Sequence, residues 1–166
     1  MSNALRRAQL ALLASALAIA SVGAQIATAA TVTASDGNVS VTTTAPDTVV
    51  VGKEFVATVQ VQNIGAATIG AAGATLQYPR SAMKVKALST PTAGAVCEKA
   101  TSRGTVGFAA CGNVTLQPGA TVTTQVTLIA TAVGTLGLGS YAYTAASPFV
   151  QGTFTFAPSL VVNSTK

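Results

Sequence analysis

From residue 31 onward, apolar and polar residues alternate in short runs, and no stretch carries the apolar stripe of an amphipathic helix. Val39, Val41, Thr43 and Ala45 fall on one face of a strand that Pro46-Asp47 ends, and Val49-Val50-Val51 leads into a turn at Gly52-Lys53. Phe55, Ala57, Val59 and Val61 then point one way, and Val56, Thr58, Gln60 and Gln62 the other. This is a half-buried strand ending at Asn63-Ile64-Gly65. Ala66 to Gly73 reads as a loose Gly-rich connection, and Ala74 to Tyr78 as a short strand stopped by Pro79. Met83, Val85 and Ala87 alternate with Lys84 and Lys86, which predicts two lysines on one outward face. Past a break at Thr90-Pro91-Thr92, Ala95 to Cys97 and Thr105 to Cys111 form the arms of a hairpin with Ser102-Arg103-Gly104 at its tip.

Leu116-Gln117-Pro118-Gly119-Ala120 predicts a tight turn, because Pro presets φ at the second turn position and Gly accepts the positive φ that follows. In the strand after it, Val122, Thr124, Val126, Leu128 and Ala130 face inward, and Thr123, Gln125 and Thr127 face solvent. Gly134 to Gly139 relaxes the chain before Tyr141 and Tyr143. Pro148 and Pro158 bracket a strand holding Phe154 and Phe156, and Leu160 to Val162 adds an edge. Short strands at this spacing, punctuated by Gly and Pro, predict an all-β fold: an Ig-like antiparallel β-sandwich of about seven to nine strands over residues 31–166.

Residues 1–30 follow a different pattern. Arg6 and Arg7 give a basic start, Leu10 to Ala20 an apolar core, and Ala27-Thr28-Ala29 or Val22-Gly23-Ala24 a small-residue exit, the layout of a cleaved signal peptide. The apolar core is well short of the roughly 20 residues that a membrane-spanning helix needs. Leu5 and Gln9 fit a twin-arginine motif poorly, so the expected route is ordinary export of an unfolded chain. The expected location is extracellular, at the cell surface or in the periplasm. Later apolar segments are broken by Thr, Gly or Pro every few residues, so no transmembrane segment is expected in the mature chain.

Composition sharpens this. Charged residues make up 8% of the chain, and Thr, Ala, Val and Gly dominate, so the polar surface is built mainly of hydroxyls and amides. Thr and Val suit a pleated surface because branching at Cβ restricts their rotamers. Of nine basic residues two leave with the leader, and the remaining seven against four acidic ones give a net charge of +3. So mild a bias, without clustered Arg, Lys and interleaved aromatics, argues against nucleic-acid binding.

Cys97 and Cys111 are the two cysteines of an exported chain, and the expected state is one disulfide locking the hairpin. Two thiolates and no His do not complete a zinc shell, and the spacing is unlike a Cys-x-x-Cys redox pair, so no metal is expected.

The run Val49-Val50-Val51-Gly52-Lys53-Glu54-Phe55, followed by Val59-Gln60-Val61-Gln62-Asn63-Ile64-Gly65, resembles the opening of the bacterial conserved-repeat surface domain of unknown function, an Ig-like module. Ala74-Thr75-Leu76-Gln77-Tyr78-Pro79, the two cysteines and Leu116-Gln117-Pro118-Gly119 resemble its later strand, its paired cysteines and its Pro-Gly turn. The resemblance spans Val39 to Ala146, in one copy where that family often occurs in tandem, and the Asp that commonly precedes the Pro is missing here. It implies a sandwich at the cell surface and supplies no catalytic residues.

Without His, and with Asp36, Asp47, Glu54 and Glu98 scattered over separate segments, the chain is not expected to be an enzyme or to use a cofactor. Asp36-Gly37-Asn38 offers far too few oxygens for calcium and reads as a turn. Arg80, Lys84, Lys86, Lys99 and Arg103 form either an anion-binding patch, for acidic glycans or envelope phosphates, or a solvated strand face and hairpin tip whose lysines guard an edge. Tyr141, Tyr143, Phe149, Phe154 and Phe156 form either a sugar-stacking platform or, more simply, inner-face core. The expected function is a non-catalytic secreted or envelope protein serving as a structural or adhesive module, with a protein or glycan partner at the cell surface. Its rivals are a fibre subunit that self-associates by strand addition through Thr31 to Ala45, and a carbohydrate-binding module.

Overall fold

The structure, a computed structural model, describes residues 28–35, 37–144, 155–156 and 160–164. Residues 1–27 of the expected leader, Asp36, Phe149 and Phe154 lie outside the described residues, whereas Ala29 and Ala30, at the expected leader's end, open β1. Thirteen strands are present among those described: β1 (Ala29–Ser35), β2 (Val39–Pro46), β3 (Thr48–Val50), β4 (Glu54–Asn63), β5 (Ile69–Pro79), β6 (Met83–Ser89), β7 (Val96–Arg103), β8 (Val106–Leu116), β9 (Thr121–Ala130), β10 (Gly134–Leu136), β11 (Gly139–Tyr143), β12 (Thr155–Phe156) and β13 (Leu160–Asn163). The chain is more finely divided than a seven-to-nine-strand reading implies because β3, β10 and β12 are only two or three residues long.

Two five-stranded antiparallel sheets form the sandwich. The front sheet runs β1-β2-β4-β9-β6 and the back sheet β12-β11-β5-β8-β7, so that β6 stands over β7 and β9 over β8. Period-2 patterning positions them. On β4, Phe55, Ala57, Val59 and Val61 are buried between the sheets, and on β9 Val122, Val126, Leu128 and Ala130 meet them. The small sheet β10-β13-β3 adds Val49, Leu160 and Val162 to the core, and its β13–β3 pair is parallel. Leu160 to Val162 is thus the middle strand of that sheet and not an edge.

Two segments depart from the alternation read in the sequence. Lys86 sits at a bulge between the Val85–Leu128 and Ala87–Thr127 pairs. The extra residue shifts the phase, so Ala87 is exposed and Leu88, not Ala87, packs against the core. Ile69 to Gly73, expected as part of a loose connection, is the first half of β5, with a register shift around Ala71 and Ala72.

Four polar residues tie the layers together. Thr124, fully buried on β9, donates from Oγ1 to the Ala74 carbonyl (2.7 Å) and accepts from the Cys111 amide (3.0 Å), so a front-sheet hydroxyl satisfies backbone of the back sheet. Thr43 on β2 and Ser140 on β11 pair their hydroxyls across the layers in the same way. Asn63 ends β4 fully buried. Its Nδ2 donates to the Leu116 (2.9 Å) and Ala67 (2.8 Å) carbonyls, its Oδ1 accepts from the Gly65 amide (3.0 Å), and its backbone bonds Gly119 and Ala120. The Gln117-Pro118-Gly119-Ala120 turn it holds closes with an Ala120-to-Gln117 bond and a Gly119 φ of 80°.

Candidate functional site

β11 is a short strand whose residues alternate across the back sheet. Ser140 and Ala142 are buried toward the front sheet, which sends Tyr141 and Tyr143 to the outer face. Gly73 pairs with Tyr143 on one side and with Gly112 on the other, and the three form a row across β11, β5 and β8. The Tyr143 ring lies over Gly73 with its hydroxyl near Gly112: a carbon added at Gly73 would overlap the ring, and one added at Gly112 would fall 2.6 Å from the hydroxyl. The glycines that look like a loop in the sequence are therefore the floor on which this ring rests.

One row along, Tyr141 pairs with Thr75, and Phe108 on β8 meets it edge to face across β5, with ring centroids 6.4 Å apart and planes at 72°. Thr75 is only 2% exposed beneath them. Gln77 follows on β5, and Glu98 and the 61%-exposed Val96 form the rim on β7. Burial, chiefly, raises the Tyr143 pKa above its usual 10.0, with the nearby Glu98 carboxylate adding to it, and a backbone hydrogen bond from Asn113 opposing them. Asn113 reaches that position with a φ of 65°.

Cys97 and Cys111 are directly opposed on β7 and β8, their Cα atoms 3.9 Å apart, and are joined in a disulfide that faces inward near Ser89. The expected hairpin turns at Gly104-Thr105, with Arg103 opposite Val106 on its last rung. Four of the five basic residues divide between two surfaces. Arg80 donates to the Gly104 carbonyl (3.2 Å) beside Arg103 at the hairpin tip, whereas Lys84 and Lys86 project from the outer face of the front sheet, where Lys86 pairs with Glu54. The side chain of Lys99 lies outside what is described. Sequence reading had marked Tyr141 and Tyr143 as aromatic candidates but missed Phe108, which stands 33 positions from Tyr141 and meets it only through the β11-β5-β8 order. Among the described residues no group of three or more His, Cys, Asp or Glu could hold a metal ion, and no helix is long and apolar enough to cross a membrane.

No protein-family model matches the chain. No curated protein matches it either. Solved structures do. A cohesin module from a family 33 glycoside hydrolase of Clostridium perfringens is similar with a TM-score of 0.51 at 12% identity, covering 82% of this chain and 98% of that one. A non-cellulosomal cohesin from Archaeoglobus fulgidus is similar at 0.47 and 14% identity, covering 72% and 88%. The C-terminal fragment of the major pilin of Streptococcus agalactiae is similar at 0.46 and 8% identity, covering 80% of this chain and 55% of the fragment. Together with the sheet order, the first of these likenesses establishes the fold: this chain is an all-β sandwich of the kind that cohesin modules share.

Proposed function

We propose that the protein is exported behind a cleaved leader over residues 1–30 and serves as a non-catalytic structural or adhesive module at the cell surface or envelope. The observation that carries the reading is the outward display of Tyr141, Tyr143 and Phe108 on a sheet whose neighbouring strands are cross-linked by a disulfide. Such a fixed aromatic face is suited to holding a partner, and a disulfide fits an oxidising compartment. Purified residues 31–166 should co-sediment with isolated cell envelopes of the producing strain, and N-terminal sequencing of the native protein should begin within a few residues of Ala30. Protein left wholly in the supernatant, or an uncleaved N-terminus, would overturn the reading.

A second reading, self-association by strand addition, is favoured by the contrast between edges. β6 and β7 each carry a bulge and lysine, devices that block edge pairing, whereas β1 pairs with β2 over seven unbroken positions and its residues carry no charge. Strand β2 supplies Val39, Val41 and Ala45 to its own core, so within Thr31 to Ala45 it is β1 that stands at a sheet edge. Light scattering at rising concentration should then show dimers or filaments, and Thr33→Lys on β1 should return monomers.

A further inference from the structure

We propose that the outer face of the back sheet binds a neutral glycan of gluco-configured pyranoses, stacked on Tyr143, Tyr141 and Phe108; this rests on the adhesive reading above and names its ligand. A pyranose whose hydroxyls are equatorial has two flat C–H faces, and an aromatic ring held parallel to a surface is the complement of such a face. Tyr143 packs down over the sheet at Gly73, where any larger residue would displace the ring, and a larger residue at Gly112 would meet the Gly73 backbone and the Tyr143 hydroxyl. Tyr141 and Phe108 brace one another beside it, above the buried Thr75.

Size argues for a sugar chain over a folded protein. The rows from Tyr143 to Gly139, across three strands, span about 10 Å by about 13 Å at ordinary strand spacings. That footprint of about 130 Å² is a small fraction of the roughly 800 Å² per partner of a stable protein interface, and it suits a short oligosaccharide. Charge argues for a neutral one. Glu98 stands on the rim close enough to act on Tyr143, and it would repel an acidic glycan; Lys84 and Lys86 belong to the opposite sheet, and Arg80 and Arg103 lie at the hairpin tip, beyond the Gln77–Phe108 row. Gln77, in the same row as Phe108, offers an amide for sugar hydroxyls.

The chain has no Trp and three Tyr, two of them in this face, so intrinsic tyrosine emission reports directly on it. Wild-type protein titrated with cellohexaose and with laminarihexaose should show a saturable emission change with at least one, little altered by salt, and none with an acidic galacturonate oligomer. Phe108→Ala keeps all three fluorophores and should raise Kd about tenfold, as should Tyr141→Ala measured by calorimetry. Lys84→Ala on the other sheet should leave Kd unchanged. Urea midpoints show which variants are folded, and Tyr143→Phe, which keeps the ring, should retain most of the affinity. No saturable change with either neutral probe at millimolar concentration, binding undiminished in the Phe108→Ala/Tyr141→Ala double variant, or preference for the acidic oligomer would overturn the proposal. Envelope co-sedimentation that persists in the double variant, with no sugar binding, would sink the glycan and leave the adhesive module standing. Sugar binding without co-sedimentation would do the reverse.

Discussion

Thr124→Val replaces a buried hydroxyl by a methyl of nearly the same size, and the structure makes its consequence specific. The hydroxyl bonds the Ala74 carbonyl at 2.7 Å and the Cys111 amide at 3.0 Å, both on the opposite sheet. Removing it leaves the Cys111 N–H without this buried partner, at about 1–3 kcal/mol, and weakens the carbonyl by about 1 kcal/mol more. The added methyl returns up to about 1 kcal/mol through apolar burial, so the variant should lose about 2–3 kcal/mol. On a domain of this length that corresponds to a fall in Tm of about 10 °C. Thr124→Ser keeps the hydroxyl and deletes a methyl, for about 1 kcal/mol. The serine variant should therefore be more stable than the valine one, the reverse of a ranking by hydrophobicity. Urea unfolding of the oxidised protein, followed by circular dichroism, measures both, and an unchanged m-value certifies that stability moved. In hydrogen exchange the Cys111 amide should lose protection locally in the valine variant. A valine variant as stable as wild type, or more stable than the serine variant, would refute the bridging role.

Asn63→Leu should lose about 2–4 kcal/mol in the same assay, because the buried hydrogen bond to Leu116 and the part-buried ones to Ala67 and Gly65 vanish together. Reduction of Cys97–Cys111, which closes a loop of 14 positions, should lower stability by about 3 kcal/mol, read as a urea midpoint shift with and without reductant. Gly73→Ala should displace the Tyr143 ring and change tyrosine emission, while Gly70→Ala, which meets nothing within 4 Å, should not. Tyr143 and Tyr78 both ionise above their usual 10.0 when folded, chiefly through burial, with the Arg80 charge opposing it at Tyr78. A raised pKa in the folded state means the contribution is fully present below about pH 10 and is lost as pH climbs through the folded value. Alkaline titration should accordingly show two late-titrating phenols, and stability should decline above about pH 10.

Strands β4 and β9 were legible because most of their inward positions are Val, Leu, Phe or Ala, each of which reports its own side of the sheet, although Thr123, read as solvent-facing, is buried. Where position depends on something distant, the pattern misleads. Lys86 looks like one more outward lysine, but a bulge opposite Leu128 and Thr127 changes which residue follows it inward. Gly70 and Gly73 look like slack chain, because nothing local reveals that a ring 70 positions away rests on Gly73. Thr124 could be placed inward from its period, yet its partners belong to the other sheet. The same holds for the aromatic face: Tyr141 and Tyr143 were visible as candidates, but Phe108 joins them only because β5 lies between β8 and β11.

Strand β3 near the start of the domain pairs in parallel with β13 near its close, so Thr48 finds Val161 only after everything between them has been laid down. Contacts of such sequence separation make folding slow and hold it back until the last strand is available. A chain threaded through a membrane from its N-terminus would stay open throughout its passage, and the thiols of Cys97 and Cys111 would meet an oxidant before the sheets shut over them. On the export route proposed above, this topology would leave the last pairing to form only once the whole chain had crossed.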